Sequence, residues 1–177
     1  MYIRMMAFVA LAVLASQLIV ASVWDIRERR VPNWLTLSVF VTGVLLGPSW
    51  PPSPGAVGQA LYGVALGFCI WIPLYLFRLV GAGDVKLIAA SGAWLGVGGV
   101  VSASLWTAIA GGVLGAFWIL RRRGAQAAML SIVHALRAPR LLQLKPMDRR
   151  ERVPYAVAIS IGVLISWVGN SGTFWVV

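Results

Sequence analysis

Six apolar runs, each bounded by charged or turn-forming residues, dominate the chain: Tyr2 to Trp24, Trp34 to Leu46, Val57 to Phe77, Val85 to Leu95, Val100 to Leu120 and Pro154 to Val168. They predict six helices and an all-α bundle of about six transmembrane segments. A span needs about 20 apolar residues and rarely fewer than about 17. The second and fourth runs are shorter, so they are expected to borrow flanking residues, tilt, or sit where the bilayer thins. The first run follows Arg4 and could be taken for a secretory signal. It is longer than an ordinary signal core, however, and Trp24-Asp25-Ile26-Arg27 is a poor cleavage neighbourhood, so a retained span is expected. Gly63-Val-Ala-Leu-Gly67 and Gly111-Gly-Val-Leu-Gly115 place small residues four apart, which lets helix backbones approach within the bundle. Pro73 should kink the third helix by removing one backbone donor.

Composition narrows the class. Of 177 residues, 60% are hydrophobic and 11% charged, with a mean hydropathy of +0.86, whereas a soluble domain is about 45 to 50% apolar and about 25% charged. A soluble fold is excluded, and the runs leave no room for a separate soluble domain. Residues 1–177 therefore read as one membrane-embedded domain.

The formal charge of +10 comes from 15 Lys and Arg against 5 Asp and Glu. In a soluble chain it would point to nucleic acid, but here no nucleic-acid partner is expected and the charge reports orientation. Alternating the connections across a bilayer puts Arg27, Arg29, Arg30, Arg78, Lys86 and the nine basic residues from Arg121 to Arg152 on one side, fourteen of fifteen, with Arg4 opposite. Since Lys and Arg are retained in the cytoplasm, both termini are expected outside and the three charged connections inside. Trp24, Trp34, Trp50, Trp94, Trp118, Trp167 and Trp175 fall near predicted span ends, where an indole N–H can stay hydrated. Within the basic stretch 121–152, Ala125 to Leu142 carries apolar residues at helical spacing, predicting an amphipathic helix on anionic lipid headgroups. Cys69 is the only cysteine and His134 the only histidine, so no disulfide, Cys-x-x-Cys pair, structural zinc site or histidine-based triad is expected.

The chemistry has to come from five acidic residues. Asp148 and Glu151 sit among arginines and Glu28 is flanked by Arg27 and Arg29, as solvated partners would be. Asp25 and Asp84 differ. Asp25 closes the first predicted helix, and Asp84 opens the fourth after Gly81-Ala-Gly83. Carboxylates at a membrane boundary are costly and mark function by default. The first helix runs inward and the fourth starts inside, so both reach the same cytoplasmic level and can meet. Two facing carboxylates share a proton, leaving one base and one acid, an arrangement that activates water against an amide. Gly81 and Gly83 suit this role, because a backbone without Cβ can take positive φ and lets an extended substrate strand approach. The bland alternative is a helix start with Asp84 as its N-cap. Opposite helix ends also predict Asp84 as the base and Asp25 as the acid. Two carboxylates without His or Cys make a poor metal site, so no metal or cofactor is expected.

These residues resemble a family. Asp25-Ile-Arg-Glu-Arg-Arg-Val-Pro32-Asn33 is similar to the Asp, six residues, Pro-Asn pattern of type IV prepilin peptidases, and Gly81-Ala-Gly83-Asp84-Val-Lys86-Leu87 is similar to their Gly-x-Gly-Asp-x-Lys-Leu motif. A weaker match, Val153-Pro154-Tyr155 to Gly162, resembles the proline-aromatic entry to the family's last helix. The resemblance implies a multi-pass aspartic peptidase of the bacterial inner membrane that removes the short basic leader of prepilins and pseudopilins at the cytoplasmic face. Asp25 and Asp84 match its catalytic aspartates, and Gly81, Gly83, Lys86, Pro32, Asn33 and Pro154 fall in its motifs. Longer relatives carry a cytoplasmic insertion with paired Cys-x-x-Cys motifs and methylate the new amino terminus. This chain resembles instead the minimal form of Flp, or tight-adherence, pilus systems, which puts methylation in doubt. Two readings outside the peptidase class compete: a small proton- or cation-coupled transporter subunit, which would place its carboxylates near the midplane, and a pilus-assembly scaffold.

Overall fold

The computed structural model describes residues 2–47, 55–77, 79–137 and 154–174, and the regular structure among them is entirely α-helical. Five helical segments follow in order: α1 (Tyr2–Glu28), α2 (Asn33–Leu46), α3 (Ala56–Leu76), α4 (Ala82–Arg137) and α5 (Tyr155–Phe174). Among the described residues three stretches are long and apolar enough to cross a membrane, Met5–Glu28, Ala56–Leu76 and Ala82–Phe117, while Asn33–Leu46 and Tyr155–Gly169 are shorter apolar helices.

The six expected helices fall on five helical segments among the described residues. The predicted fourth and fifth helices run together as α4, which also continues past Arg121 to Arg137, into the stretch expected to begin a loop. The two expected helices remain as arms on either side of Gly96, and the Arg- and Ala-rich residues after Leu120 are strong helix formers. The remainder of the basic stretch, 138–153, and the proline-rich connection 48–54 lie outside the described residues.

A straight helix would separate Ala89 from Val100 by about 16 Å, so α4 is no straight rod. A Cβ built on Gly67 of α3 would lie 2.9 Å from the Ala89 Cα and 3.3 Å from a Val100 methyl. The chain therefore doubles back between them, and Gly96, at φ +65°, holds the left-handed conformation such a reversal needs. Ser166 of α5 donates to the Gly99 carbonyl in this turn at 2.8 Å. The first arm of α4 lies antiparallel to α3, with Gly63 on Gly92 and Gly67 on Ala89. The second runs parallel to it, with Gly67 against Val100 and the Trp71 indole donating to Ser104 at 3.0 Å.

The first arm is the centre of the bundle: Val85 and residues 87–96 are buried. Around it, α1 buries a stripe of Ala10, Leu14, Leu18, Ala21 and Asp25, three or four residues apart, and leaves Phe8 and Ile19 exposed as lipid-facing side chains. A side chain at Gly63 or Gly92 would strike the carbonyl of the other, so the small residues set the closeness of the α3 and α4 contact. Trp94 departs from the interfacial expectation. It is 1% exposed, donates to the Val39 carbonyl of α2 at 2.8 Å, and meets Trp167 edge-on at 5.8 Å between ring centres. Its N–H is satisfied by an α2 carbonyl rather than by water.

Candidate active site

Asp25 lies in the last turn of α1, on the stripe that faces the bundle, and is only 6% exposed. A buried carboxylate needs donors, and α5 supplies one: the Ala156 N–H donates to Asp25 Oδ2 at 3.1 Å. Ala156 is the second residue of α5, where backbone N–H groups have no partner within their own helix. Arg29 takes φ 55°, outside the range ordinary for an arginine, and its N–H donates to the Asp25 carbonyl at 2.9 Å, closing α1. Its guanidinium charge also acts on the Asp25 carboxylate. The chain then turns through Val31 into Pro32, extended at φ −69° and ψ 144°, whose carbonyl accepts the N–H groups of Leu35 and Thr36 at 3.2 and 3.3 Å.

Asp84 lies in the first turn of α4 and is half-buried. It is not the N-cap. Gly81 holds that place, its carbonyl accepting the N–H groups of Asp84 and Val85 at 3.1 and 3.2 Å. Asp84 Oδ2 reaches back to accept the Gly81 N–H at 2.9 Å, the carboxylate half of a capping box.

The glycines before Asp84 act differently from the sequence expectation. Neither takes positive φ, since the glycines that do among the described residues are Gly55 and Gly96. Their smallness matters against the chain itself. A Cβ at Gly83 would come within 3.3 Å of the Val31 backbone N, and one at Gly81 within 3.1 Å of Asp84 Oδ2. Gly83 thus lets the first turn of α4 rest on the linker between α1 and α2.

The same two segments are joined again by Lys86, whose Nζ donates to Asn33 Oδ1 at 3.0 Å on the exposed side. Pro154 stands immediately before α5, where its missing N–H breaks no helical bond. Asp25 and Asp84 are brought to one end of the bundle: Asp25 bonds Ala156 at the start of α5, and the turn of α4 that carries Asp84 rests through Gly83 on Val31 of the linker that follows Asp25. Asp25 also gains at α5 the helix amino end that the sequence assigned to Asp84 alone, so helix ends by themselves do not distinguish the two. Accessibility does, because Asp84 is the one that water reaches.

Sequence reasoning passed over the Ala156 N–H, Val31 and Arg29, none of which carried a signal that spacing could reveal. A groove of about 310 Å³ along α1, lined by Ile19, Val20, Val23, Trp24, Arg27 and Glu28, faces away from Asp25 and is not this site.

Comparison with known proteins agrees with the motifs. The type IV leader peptidase family matches residues 12–116, more than half of the chain. A prepilin leader peptidase/N-methyltransferase of Xanthomonas campestris pv. campestris is 32% identical over 120 residues, covering 62% of this chain and 40% of the relative. One of the same name from Pectobacterium carotovorum subsp. carotovorum is also 32% identical over 120 residues, covering 64% and 42%. A type 4 prepilin-like proteins leader peptide-processing enzyme of Escherichia coli O78:H11 is 36% identical over 95 residues, covering 49% and 35%. The matched region spans about two fifths of the length of these relatives. No solved structure matches. Residues 12–116 include both aspartate motifs, and on that match the chain belongs to the type IV leader peptidase family.

Proposed function

We propose that this protein is a membrane aspartic endopeptidase that cleaves the short basic leader from type IV prepilins or pseudopilins, with Asp25 and Asp84 as its catalytic pair. The observation that supports the reading is that two motif aspartates come from helix ends joined at the linker between α1 and α2: Asp25 closes α1 against the start of α5, and the turn of α4 that carries Asp84 rests through Gly83 on Val31. In this mechanism Asp84, the more accessible carboxylate, takes a proton from water, and the hydroxide adds to the scissile carbonyl carbon while Asp25 gives its proton to the carbonyl oxygen. The tetrahedral diol then returns a proton to Asp25 as the C–N bond breaks, and the leaving nitrogen takes the proton held by Asp84.

The enzyme lies in the bacterial inner membrane with both termini outside and the site at the cytoplasmic face, a placement supported by the fourteen basic residues assigned to that side. The basic stretch 121–152 rests on anionic lipid. Methylation of the new amino terminus is not part of the proposal: some relatives are named for that activity, but Cys69 is the only cysteine here and forms no paired motif.

The test is co-expression with candidate prepilins, scored as a gel shift. Asp25→Asn and Asp84→Asn should each abolish the shift while the protein still inserts, since neither removes bulk from the bundle. Near-normal processing by either variant would refute the two-aspartate mechanism.

A further inference from the structure

Asp25 meets its backbone donor only if α1 stands at one height beside α5, and two serines join the same helices one turn deeper. Ser22 precedes Asp25 by three residues and Ser160 follows Ala156 by four, so each shares a helix face with its partner in the bond between Asp25 and the Ala156 N–H. Their hydroxyl oxygens are 2.9 Å apart. The Ser22 hydroxyl donates to the Leu18 carbonyl of its own helix at 2.9 Å, which leaves its oxygen to accept from Ser160. Ser160 Oγ also lies 3.2 Å from that Leu18 carbonyl and 2.8 Å from the carbonyl of Ala156 itself. Ser160 is 8% exposed and Ser22 half-buried.

Helix α5 is held from its other side. Ser166 donates to the Gly99 carbonyl at 2.8 Å and Trp167 meets Trp94. Gly162 packs so closely on the second arm of α4 that a Cβ there would fall 2.6 Å from the Thr107 backbone N and 2.7 Å from the Ala103 carbonyl oxygen. Helix α1 has no comparable anchor in its buried apolar residues, Ala10, Leu14, Leu18 and Ala21. Apolar contact is non-directional and resists separation more than sliding. A hydrogen bond weakens beyond about 3.2 Å and off its angle. At 3.1 Å the Ala156 bond stands close to that limit, so a slide of α1 by about 1 Å along α5 would lose it.

We infer that Ser22 and Ser160 are positioning residues of the site: their hydroxyl clasp fixes the height of α1 on α5 and so holds the Asp25 carboxylate on the Ala156 N–H. The inference rests on the catalytic role proposed above for Asp25. Loss of the clasp displaces the acid and leaves substrate contacts in place, so it belongs in kcat. Misplacement of a reacting group by about 1 Å costs up to about a hundredfold. The Thr42 hydroxyl, which donates to Gln17 Oε1 at 3.1 Å, supplies a contrast, because it ties α1 to α2 and not to the helix that carries the Asp25 donor.

The experiment uses full-length enzyme in detergent, well below its unfolding temperature, and a prepilin shown by co-expression to be cleaved, with Asp25→Asn and Asp84→Asn run alongside. Ser22→Ala and Ser160→Ala should each lower kcat about ten- to a hundredfold with KM unchanged. The double variant should be no slower than the worse single one, and Gln17→Ala should keep the parental kcat. The Ser22→Cys/Ser160→Cys variant, in a Cys69→Ser background because Cys69 is exposed, tests register directly. Reduced, it should be as slow as the alanine pair; oxidised to a disulfide, it should recover most of the lost kcat and lose it again on reduction. Parental kcat in the alanine variants, beside inactive aspartate variants, would overturn this inference and leave the peptidase reading standing. So would an equal loss in Gln17→Ala, a cysteine pair that does not cross-link, or a cross-link that restores nothing. Active aspartate variants would instead remove the reading beneath it, and the inference with it.

Discussion

Lys86 and Asn33 show how little of a site's energy needs to sit in the bond that aligns it. They belong to different motifs, 53 positions apart, and meet on the exposed side at 3.0 Å. An exposed bond of this kind contributes about 1 kcal/mol to folding. Its weight is positional, because it ties the start of α2 to the turn of α4 that carries Asp84, beside the Gly83 contact with Val31. Lys86→Ala and Asn33→Ala should each slow prepilin processing several-fold with little change in unfolding temperature. The double variant should be no slower than the worse single one, as for two halves of one interaction. Losses that multiply would mean separate roles, and the measurement is initial cleavage rate in a double-mutant cycle. Motif spacing singled out both residues without saying why they belong together. Local periodicity reports which face of its own helix a residue occupies, and a bond between remote segments leaves no trace in it. The Ala156 N–H is less legible still, since a backbone donor has no sequence identity at all.

At the scale of helices, glycine separates what the hydrophobic pattern could foresee from what it could not. The pattern located apolar helices at α1, α2, α3 and α5 and the four-residue spacing of Gly63 and Gly67, both of which lie on the α3 contact with α4. The second pair of that spacing divides: Gly111 lies under Tyr155, while a Cβ at Gly115 would meet nothing within 4 Å. Both were alike in sequence, and only the tertiary arrangement distinguishes them. Gly92→Ala should therefore destabilise the protein by about 1 to 3 kcal/mol, because its new methyl strikes the Gly63 backbone, which cannot move aside as a side chain could. Gly115→Ala, also in α4, should be neutral or stabilising by up to about 1 kcal/mol from helix propensity alone. Unfolding in detergent, followed by tryptophan fluorescence, reads both. Equal effects would mean that α3 and α4 do not touch as described. The two expected helices that share α4 remain distinct as its two arms, because Gly96, in the glycine-rich stretch 96–99, takes the positive φ that reverses the chain.

Across the whole molecule, the bundle wears its apolar residues outward, as lipid requires, and buries Ser91, Ser104, Ser160 and Ser166 inside. Each of those serines is hydrogen-bonded, Ser91 to the Leu87 carbonyl of its own helix and Ser160 to the Leu18 carbonyl of α1. Membrane character was fully legible because composition alone sets it. Orientation is a separate matter, governed by charge, and it yields its own prediction. In a Cys69→Ser background, needed because Cys69 is exposed, a cysteine at Ser53 should react with an impermeant maleimide from outside intact cells. One at Gln126 should react only after the membrane is opened. The reverse pattern would put the aspartate end of the bundle on the face away from newly made prepilins.

The bond from Ala156 to Asp25 joins residues 131 positions apart, which has a consequence in time. A ribosome that has already released Asp25 and Asp84 into the membrane must still translate another 72 residues before Ala156 exists. Until α5 enters, Asp25 lacks its backbone donor. The half-made chain passes through its own synthesis with both acids present and the proposed site unassembled, so that site is complete only after α5 has packed against α1.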